Sequence, residues 1–237
     1  MYNIAKGKIK MIERELHKTF ISNDTPILFN NMDDETVIRQ FKGFSEFMMM
    51  YNCAIREVRT KFEVLNDDFS VTYKRNPIEM IKSRIKKPMS ILEKLKRRNY
   101  PLTMESILNN LNDVAGVRVI CSFIDDIYDV AQMFARQDDI TIIEIKDYIK
   151  NPKKNGYRSY HMIIEVPVFF SDKKQNMRVE VQLRTIAMDF WASLEHKMKY
   201  KKNIENVESL EKELKECADI IAMTDEKMQD INKKLSC

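Results

Sequence analysis

The sequence predicts an α+β fold, in which a mixed and largely antiparallel sheet of about five strands is flanked by helices and extended by helices at both ends. Three observations support this class. Apolar residues recur at helical spacing from 34 to 65. Runs rich in β-branched residues follow between 115 and 185. Helical patterns then return from 186 to 235, so we expect one sheet with helices packed on it.

The first element is a long amphipathic helix over 34–65. Acidic residues gather at its N-terminal end, where they complement the helix dipole. Its apolar stripe consists of Val37, Phe41, Phe44, Met48, Tyr51, Ile55, Val58 and Phe62. Met48 to Met50 could line a ligand groove, but methionine is an ordinary filler of irregular core space, which favours packing.

A second helical pattern covers 78–97, and Pro88 interrupts it because proline has no N–H for the helix ladder. The interruption predicts two short helices that meet at a basic loop. Ser90 follows the break and is predicted to be the N-cap of the second helix, since a serine hydroxyl accepts hydrogen bonds from free backbone N–H groups.

Four strands and three further helices are predicted after residue 110. The strands cover 115–123, 139–148, 159–170 and 177–185, and the helices cover 124–137, 186–202 and 205–235. The last helix has a charged, coiled-coil-like pattern. Its apolar stripe consists of Val207, Leu210, Leu214, Ala218, Ile221 and Met228. This stripe must be covered either by the chain's own sheet or by another subunit.

The length of 237 residues allows one large domain or two small ones. The chain shows no internal repeat and no low-complexity linker, which predicts a single domain over 1–237. Within it we expect helices in 1–70, a core over 73–202 and a C-terminal helix in 203–237.

Composition excludes several classes of protein. No apolar run approaches the roughly 20 residues of a membrane helix, and the N-terminal "MYNIAKGKIKMIERELHK" lacks the apolar centre of a signal peptide. We therefore expect a cytoplasmic protein with no membrane partner. The four cysteines are scattered without a C-x-x-C pair, so neither a zinc site nor a disulfide framework is predicted.

The charge is nearly balanced, at +4 from 40 basic and 36 acidic residues, which is too even to indicate a nucleic-acid-binding protein by itself. Its distribution is informative. The segment 73–98 is dense in Lys and Arg and contains only two Glu. A basic segment in a near-neutral chain indicates a compact anionic ligand more than a long polyanion.

The stretch "KNPKKNGYRSYHMIIEV", residues 150–166, contains more cationic and aromatic residues than a turn requires. Asn-Pro and Asn-Gly suffice for the turn. Lys153, Tyr157 and His161 are additional, and cations beside an exposed aromatic ring can hold phosphates and stack a base. The alternative is a solvated hairpin loop, since loops are polar by default.

The strand "VEVQLRT", residues 179–185, places Glu180, Gln182 and Arg184 on one face because side chains alternate along a strand. Asp113 lies just before the first predicted strand. Carboxylates on two neighbouring strands are the type of pair that holds Mg²⁺ and nucleotide phosphates. The alternative is a half-exposed strand whose polar face meets only water.

The basic segment supplies candidate phosphate ligands. Arg84 and Lys86 precede the break at Pro88, and Lys94 lies about one helical turn beyond Ser90. A helix N-terminus with cations beside it binds anions, because free N–H groups and the macrodipole face the ligand. The alternative is a surface helix solvated by its charges. Anion donors, a carboxylate pair and a stacking loop together favour a nucleotide site.

Four motifs occur in order within 73–202: "RIKKPMSILEKL", "LNDVAGVRVICSF", "DYIKNPKKNGYRSYHMIIEVPVF" and "VEVQLRTIAMDFWASLEHKMKYK". Together they resemble the synthetase domain of the RelA/SpoT homologue family, in its branch of small alarmone synthetases. The resemblance implies a nucleotidyltransferase-like synthetase fold. It also implies GTP pyrophosphokinase activity, in which pyrophosphate moves from ATP to the 3′-hydroxyl of GDP or GTP, giving ppGpp or pppGpp and AMP.

The resemblance also implies a role for each matching residue. ATP is bound by Arg84, Lys86, Ser90, Lys94 and Arg118. GDP or GTP is bound by Lys153, Asn155, Tyr157, His161 and Gln182, with Tyr157 stacked on guanine. Asp113 and Glu180 are the catalytic and metal-binding carboxylates, with Mg²⁺ as cofactor. Glu180 either completes the metal site or accepts the ribose proton, and both roles need a carboxylate in the cleft.

Assembly and regulation follow from the same resemblance. Short members of the family imply a homotetramer, and single-stranded RNA is left open as a regulator. Hydrolysis of the alarmone is not expected, because none of the three histidines is followed by Asp. The segment "IEMIKS" lacks the aromatic residue and the Thr that RelQ-type enzymes have before the matching arginine. The segment is therefore more similar to RelP-type enzymes, and the resemblance does not imply feedback activation.

Two other functions remain open. One is a nucleotide-binding regulatory protein without turnover, and the presence of both Asp113 and Glu180 favours an enzyme over it. The other is an RNA-binding module that uses the basic segment. Such a module would interleave aromatic residues with its cations, whereas Tyr73 is the only aromatic residue in 73–98.

Overall fold

The computed structural model of the chain describes residues 34–72, 75–199 and 207–236. The helices predicted before residue 34 lie outside these ranges. Residues 47–237 form one compact unit and residues 1–46 form another, in which the structure describes only the first turns of a helix. A single domain over the whole chain stays a prediction. None of the described helices is both long and apolar enough to cross a membrane.

The described residues form six helices and five strands. The helices are α1 (Asp34–Thr72), α2 (Pro88–Arg97), α3 (Met104–Asn110), α4 (Ile124–Ala135), α5 (Ile186–Lys199) and α6 (Val207–Ser236). The strands are β1 (Ile78–Ile85), β2 (Ala115–Cys121), β3 (Thr141–Asp147), β4 (Tyr160–Phe169) and β5 (Lys174–Thr185).

The strands build one sheet in the order β1-β2-β5-β4-β3. The central strand β5 runs parallel to β2 and antiparallel to β4, and the two outer pairs are antiparallel. A single parallel pair in an otherwise antiparallel sheet confirms the predicted mixed, largely antiparallel sheet of five strands flanked by helices.

The helix predicted just before Pro88 is wrong, because residues 78–85 form the edge strand β1, which pairs with β2. Ile78, Ile81 and Ile85 have helical spacing, but only Ile78 is buried. An edge strand that buries so little apolar surface does not show the period of two that identifies a strand in a sequence. The predicted basic loop therefore joins a strand to a helix.

The helix after the break is α2, and its N-cap is Lys87 with Pro88 in the first turn. The prediction of Ser90 as the N-cap is therefore wrong. Proline is favoured at the first helical position, where its missing N–H costs no hydrogen bond. Ser90 lies in the first turn, at the same helix end.

One face of the sheet carries the core. Val117, Val179, Val181 and Leu183 are at most 1% exposed, as the alternation along β2 and β5 requires. Each such side chain stabilises the fold by about 1.5–3 kcal/mol on burial. Helices cover this core: the Phe62 ring of α1 stacks on the Phe134 ring of α4, with ring centroids 4.2 Å apart.

The helix α6 folds back on its own chain. Ala218 packs in a buried cluster with Trp191 and Ala192 of α5, and Leu214 and Ile221 lie against that cluster. The indole Nε1 of Trp191 donates to the Leu214 carbonyl oxygen at 2.9 Å. These three positions of the predicted stripe therefore lie within the subunit.

The same helix supports the loop between β3 and β4. Gly156 has φ +85°, and a Cβ atom at this position would lie 2.5 Å from the Ala218 Cβ. Only glycine adopts this backbone conformation without strain and allows this close approach. The loop around Tyr157 is therefore seated on α6.

Candidate active site

The polar face of the sheet collects the predicted site residues. Glu180 is in register with Gly116 of β2, and Gln182 is in register with Arg118 of β2 and His161 of β4. Residues in register on neighbouring strands point to the same side of a sheet. The side chains of Glu180, Gln182, Arg118 and His161 therefore share one cleft, opposite the apolar core.

Asp113 precedes β2 and is held by two lysines. Its Oδ2 atom accepts from Lys86 Nζ at 2.8 Å and is 2.7 Å from Lys94 Nζ. The backbone N–H of Lys86 donates to the Val114 carbonyl, which fixes the chain beside the carboxylate. Burial raises the pKa of Asp113, but the hydrogen bonds from Lys86 and Lys94 outweigh it and hold the pKa below its usual value.

The carboxylates fit a divalent cation. Asp113 Oδ1 is buried and has no hydrogen-bond partner among the described residues, so it can serve as a ligand. The charge of Asp113 acts on Glu180 and opposes the lowering of its pKa, because two carboxylates near each other disfavour ionisation. No group of three His, Cys, Asp or Glu residues suited to a metal occurs in the described ranges. Mg²⁺ needs only one or two carboxylates when phosphates complete its shell.

Three further residues that the sequence predicts to bind ATP lie on β1, α2 and β2. Arg84 is exposed near the end of β1, and Ser90 is half-buried in the first turn of α2. Arg118 Nη1 donates to Asp189 Oδ1 at 2.9 Å. Burial and the charge of Arg184 lower the pKa of Arg118.

Around Tyr157, four residues form a directed chain of hydrogen bonds. Arg184 Nη2 lies 2.7 Å from Tyr157 Oη, which lies 2.8 Å from His161 Nε2. Arginine can only donate, so the tyrosine hydroxyl accepts from it. Because the carboxylate of Glu180 accepts from the other ring nitrogen of the neutral imidazole, the hydroxyl gives its own proton to Nε2. The Nδ1 atom then carries the imidazole proton, and it faces Glu180 Oε1 at 3.3 Å.

The surroundings of His161 and Glu180 in this series of hydrogen bonds determine their charges. Burial lowers the pKa of His161, so the imidazole is neutral in the folded protein at pH 7. Burial raises the pKa of Glu180, but the hydrogen bonds from His161 and from Gln182 Nε2, at 2.8 Å, outweigh it and keep the pKa low. Glu180 is therefore an ionised carboxylate in the cleft.

The loop residues surround the Tyr157 ring. The Lys153 ammonium lies 4.6 Å from its centroid and 4.5 Å from the centroid of Tyr148. Asn155 Oδ1 accepts from the Tyr157 N–H at 3.3 Å, and Asn155 Nδ2 donates to Glu195 of α5 at 3.1 Å. The hydrogen bond to the Tyr157 N–H thus fixes the backbone that carries the ring, and the Lys153 ammonium lies over the ring itself.

The chain is similar to known proteins in both sequence and fold. A family pattern described as "Region found in RelA / SpoT proteins" matches residues 83–205. The chain belongs to the RelA/SpoT family. GTP pyrophosphokinase YwaC of Bacillus subtilis is 44% identical over 206 residues, which cover 86% of this chain and 97% of the relative.

Solved structures of RelA/SpoT proteins agree with this result. The small alarmone synthetase 1 of Bacillus subtilis bound to its product pppGpp is similar with a TM-score of 0.76 and 33% identity, over 81% of this chain and 98% of that one. The same protein bound to AMPCPP is similar with a TM-score of 0.69 and 30% identity, over 82% and 98% of the two chains.

The structure adds residues that sequence reasoning did not assign to the site of this RelA/SpoT protein. Arg184 links Tyr157 to Asp189, and the strand alternation had placed it on the same face as Glu180. Asp189 is buried in the first turn of α5, and a lone acid among helical residues gives no signal in the sequence. Tyr148 lies beside His161, with ring centroids 5.2 Å apart.

The neutral state of His161 predicts a pH dependence. The unfolded imidazole takes up a proton below about pH 6.5, whereas burial lowers the pKa of the folded one. The unfolded state then binds more protons. The free energy of unfolding should therefore decrease as the pH is lowered below about 6.5, by at most about 1.4 kcal/mol per pH unit. Urea unfolding of the wild type and His161→Gln between pH 5 and 8 measures this difference. Parallel stability curves would show that His161 titrates in the folded protein as it does in the unfolded chain, which would contradict the prediction.

Proposed function

We propose that this protein is a GTP pyrophosphokinase, which transfers pyrophosphate from ATP to the 3′-hydroxyl of GDP or GTP and releases AMP. The observation that carries the proposal is one cleft that joins a lysine-held carboxylate, Asp113, to an ionised carboxylate, Glu180, and an aromatic loop around Tyr157. Relatives named for this activity and bound to pppGpp or AMPCPP support it.

The ATP phosphates bind at the start of α2. Lys86 and Lys94 have Asp113 as their shared partner, and both ammonium groups are mostly buried. An incoming triphosphate offers them stronger acceptors, and Ser90 adds a hydroxyl at the same helix end. Arg84 and Arg118 flank the adenine, since a guanidinium plane stacks on a flat ring.

The acceptor nucleotide binds against the loop. The Tyr157 ring stacks on guanine once the exposed Lys153 side chain moves off its face and towards the phosphates. His161, Asn155 and Gln182 lie around that ring and supply polar contacts to the nucleotide.

The reaction forms one bond and breaks one. The 3′-oxygen of the acceptor attacks the β-phosphorus of ATP, the bond between the β-phosphorus and the oxygen bridging to the α-phosphate breaks, and AMP leaves. Glu180 lies in the cleft to take the proton of the 3′-hydroxyl or to hold the cation. We propose that Asp113 and Glu180 hold Mg²⁺, which offsets charge on the phosphate oxygens when bound. Lys86 and Lys94 stabilise the same charge by direct contact.

A direct assay tests the activity. Labelled ATP is incubated with GDP or with GTP, and AMP and the 3′-pyrophosphorylated nucleotide are resolved. Equal formation of both products is expected. Binding of ATP and GDP without any product would indicate instead a regulatory protein that has kept only the pocket.

Glu180→Gln is expected to lower turnover by about 10²–10⁴, because the amide keeps the shape but removes the charge that a base or a metal ligand needs. The fold, measured by circular dichroism, should be retained. Glu165→Gln is the matched control, since Glu165 lies on β4 and pairs with Arg178. Near-normal turnover in a folded Glu180→Gln protein would remove Glu180 from the site.

Tyr157→Ala is expected to weaken GDP and GTP about ten- to a hundredfold while ATP binding changes little, because base stacking contributes about 1–3 kcal/mol. Tyr157→Phe keeps the stacking ring and removes only the hydroxyl that Arg184 holds, so its loss of GDP and GTP affinity should stay within about tenfold. Isothermal titration with each nucleotide measures both effects. An equal loss for ATP and GDP would contradict the assignment of Tyr157 to guanine.

We also propose a homotetramer, with the family resemblance as its main support. On α6, Ile220 is 63% and Met223 is 70% exposed, beside the face that packs on α5. Light scattering at micromolar concentration should give about four times 28.2 kDa, and Ile220→Glu with Met223→Glu should reduce it, because buried carboxylates are costly. A monomeric wild type would exclude the tetramer. Cytoplasmic location and regulation by single-stranded RNA stay predictions.

A further inference from the structure

Asp189 is a buried carboxylate on which both sides of the cleft converge. It lies in the first turn of α5 and is 8% exposed. Its Oδ1 atom accepts from Arg118 Nη1 at 2.9 Å and from Arg184 Nη1 at 3.0 Å. Lys82 Nζ is 3.5 Å from its other oxygen. One carboxylate oxygen therefore joins two arginines that come from adjacent strands.

The two arginines serve different nucleotides in the proposed reaction. Arg118 belongs to the ATP side. Arg184 continues through Tyr157 and His161 to Glu180, so it belongs to the acceptor side. Arg184 also donates to Gln182 Oε1 at 2.9 Å. A change at Asp189 can therefore reach both subsites, although Asp189 itself is not assigned to either nucleotide.

Charge explains why this carboxylate is needed. Arg184 is 4% exposed and half-buried Arg118 lies beside it, so two guanidinium groups share a poorly solvated region. Their repulsion is one cause that lowers the pKa of Arg118, after burial itself, and the charge of Asp189 opposes it. Without that charge the arginines would move apart or towards water. Arg118 would then leave its position, and Arg184 would release the Tyr157 hydroxyl.

We propose that Asp189 is a positioning residue that sets both nucleotide subsites, the ATP side through Arg118 and the acceptor side through Arg184 and Tyr157. The inference rests on the proposed function for the identity of the two ligands. In this arrangement, Asp189 fixes at the same time the side chains that bind ATP and those that bind GDP or GTP. Its role is indirect, since it holds side chains that are assigned to the nucleotides.

Equilibrium binding tests the proposal without relying on turnover. The affinities of the full chain for AMPCPP and for GDP are measured by isothermal titration in the wild type and in Asp189→Asn, which keeps the shape and loses the charge. Each affinity should fall roughly tenfold, the effect of weakening one charged hydrogen bond. The matched control is Asp225→Asn. Asp225 is also buried, at 7% exposed, and accepts from Thr185 at the end of β5, but its described hydrogen bonds include neither Arg118 nor Arg184.

Two backgrounds separate positioning from a general loss of structure. In Arg118→Ala, adding Asp189→Asn should no longer weaken AMPCPP but should still weaken GDP. In Tyr157→Phe, which lacks the hydroxyl held by Arg184, it should no longer weaken GDP but should still weaken AMPCPP. A merely structural role would give additive losses in both backgrounds, and that result would overturn the proposal.

A second variant distinguishes a loss of positioning from misfolding. Asp189→Glu keeps the charge on a side chain one methylene longer, so it should lose less affinity than Asp189→Asn and show the same dependence on background. Unchanged affinities in both variants, or equal losses in Asp225→Asn, would also overturn the inference. If the wild type bound both nucleotides but formed no product, the proposed function would fail while the binding result for Asp189 stood independently.

Discussion

The strict alternation along β5 is the constraint on which the site depends. Val179, Val181 and Leu183 are fully buried, so the intervening Glu180 and Gln182 must face the other side. Because β5 is the central strand, it is paired on both edges, and a shift of one residue would turn the apolar set out of the core. The energy that fixes the register of the core therefore also fixes the position of the Glu180 carboxylate.

The acids that face the cleft each have a partner of opposite polarity before any nucleotide binds. Asp113 is held by two lysines, Glu180 by a neutral imidazole and an amide, and Asp189 by two arginines. Such pairing prevents the desolvation cost of an isolated buried charge. It also orients the donors in advance, so binding exchanges partners without first ordering the side chains, which is the condition for electrostatic catalysis.

The sequence predicted the parts of this arrangement that depend on local pattern. Strands β2, β4 and β5 bury one face, and the alternation along β5 placed Glu180 correctly. Strand β3 is almost entirely exposed and was predicted from its run of β-branched residues. β1 buries only Ile78 and was therefore mistaken for a helix. The N-cap was misplaced because the proline, and not the serine, begins α2. The meeting of Arg118 and Arg184 at Asp189 could not be predicted, since three separate elements must pack before those charges are neighbours.

The C-terminal helix α6 has two structural roles: it packs on α5, and it supports the loop that carries Tyr157. Its stripe of Leu214, Ala218 and Ile221 packs on α5, whereas Ile220 on the adjacent face is exposed. A helical wheel does not tell which face meets the chain's own core, because both are apolar. The decisive feature is Gly156: its lack of a side chain lets the loop rest on Ala218, and so the helix that covers the core also supports the tyrosine next to that glycine. The sheet beneath Glu180 and the helix behind Tyr157 fix these two side chains, whereas the exposed Lys153 side chain lies over the Tyr157 ring. In the proposed function, a base that stacks on this ring must displace that ammonium group.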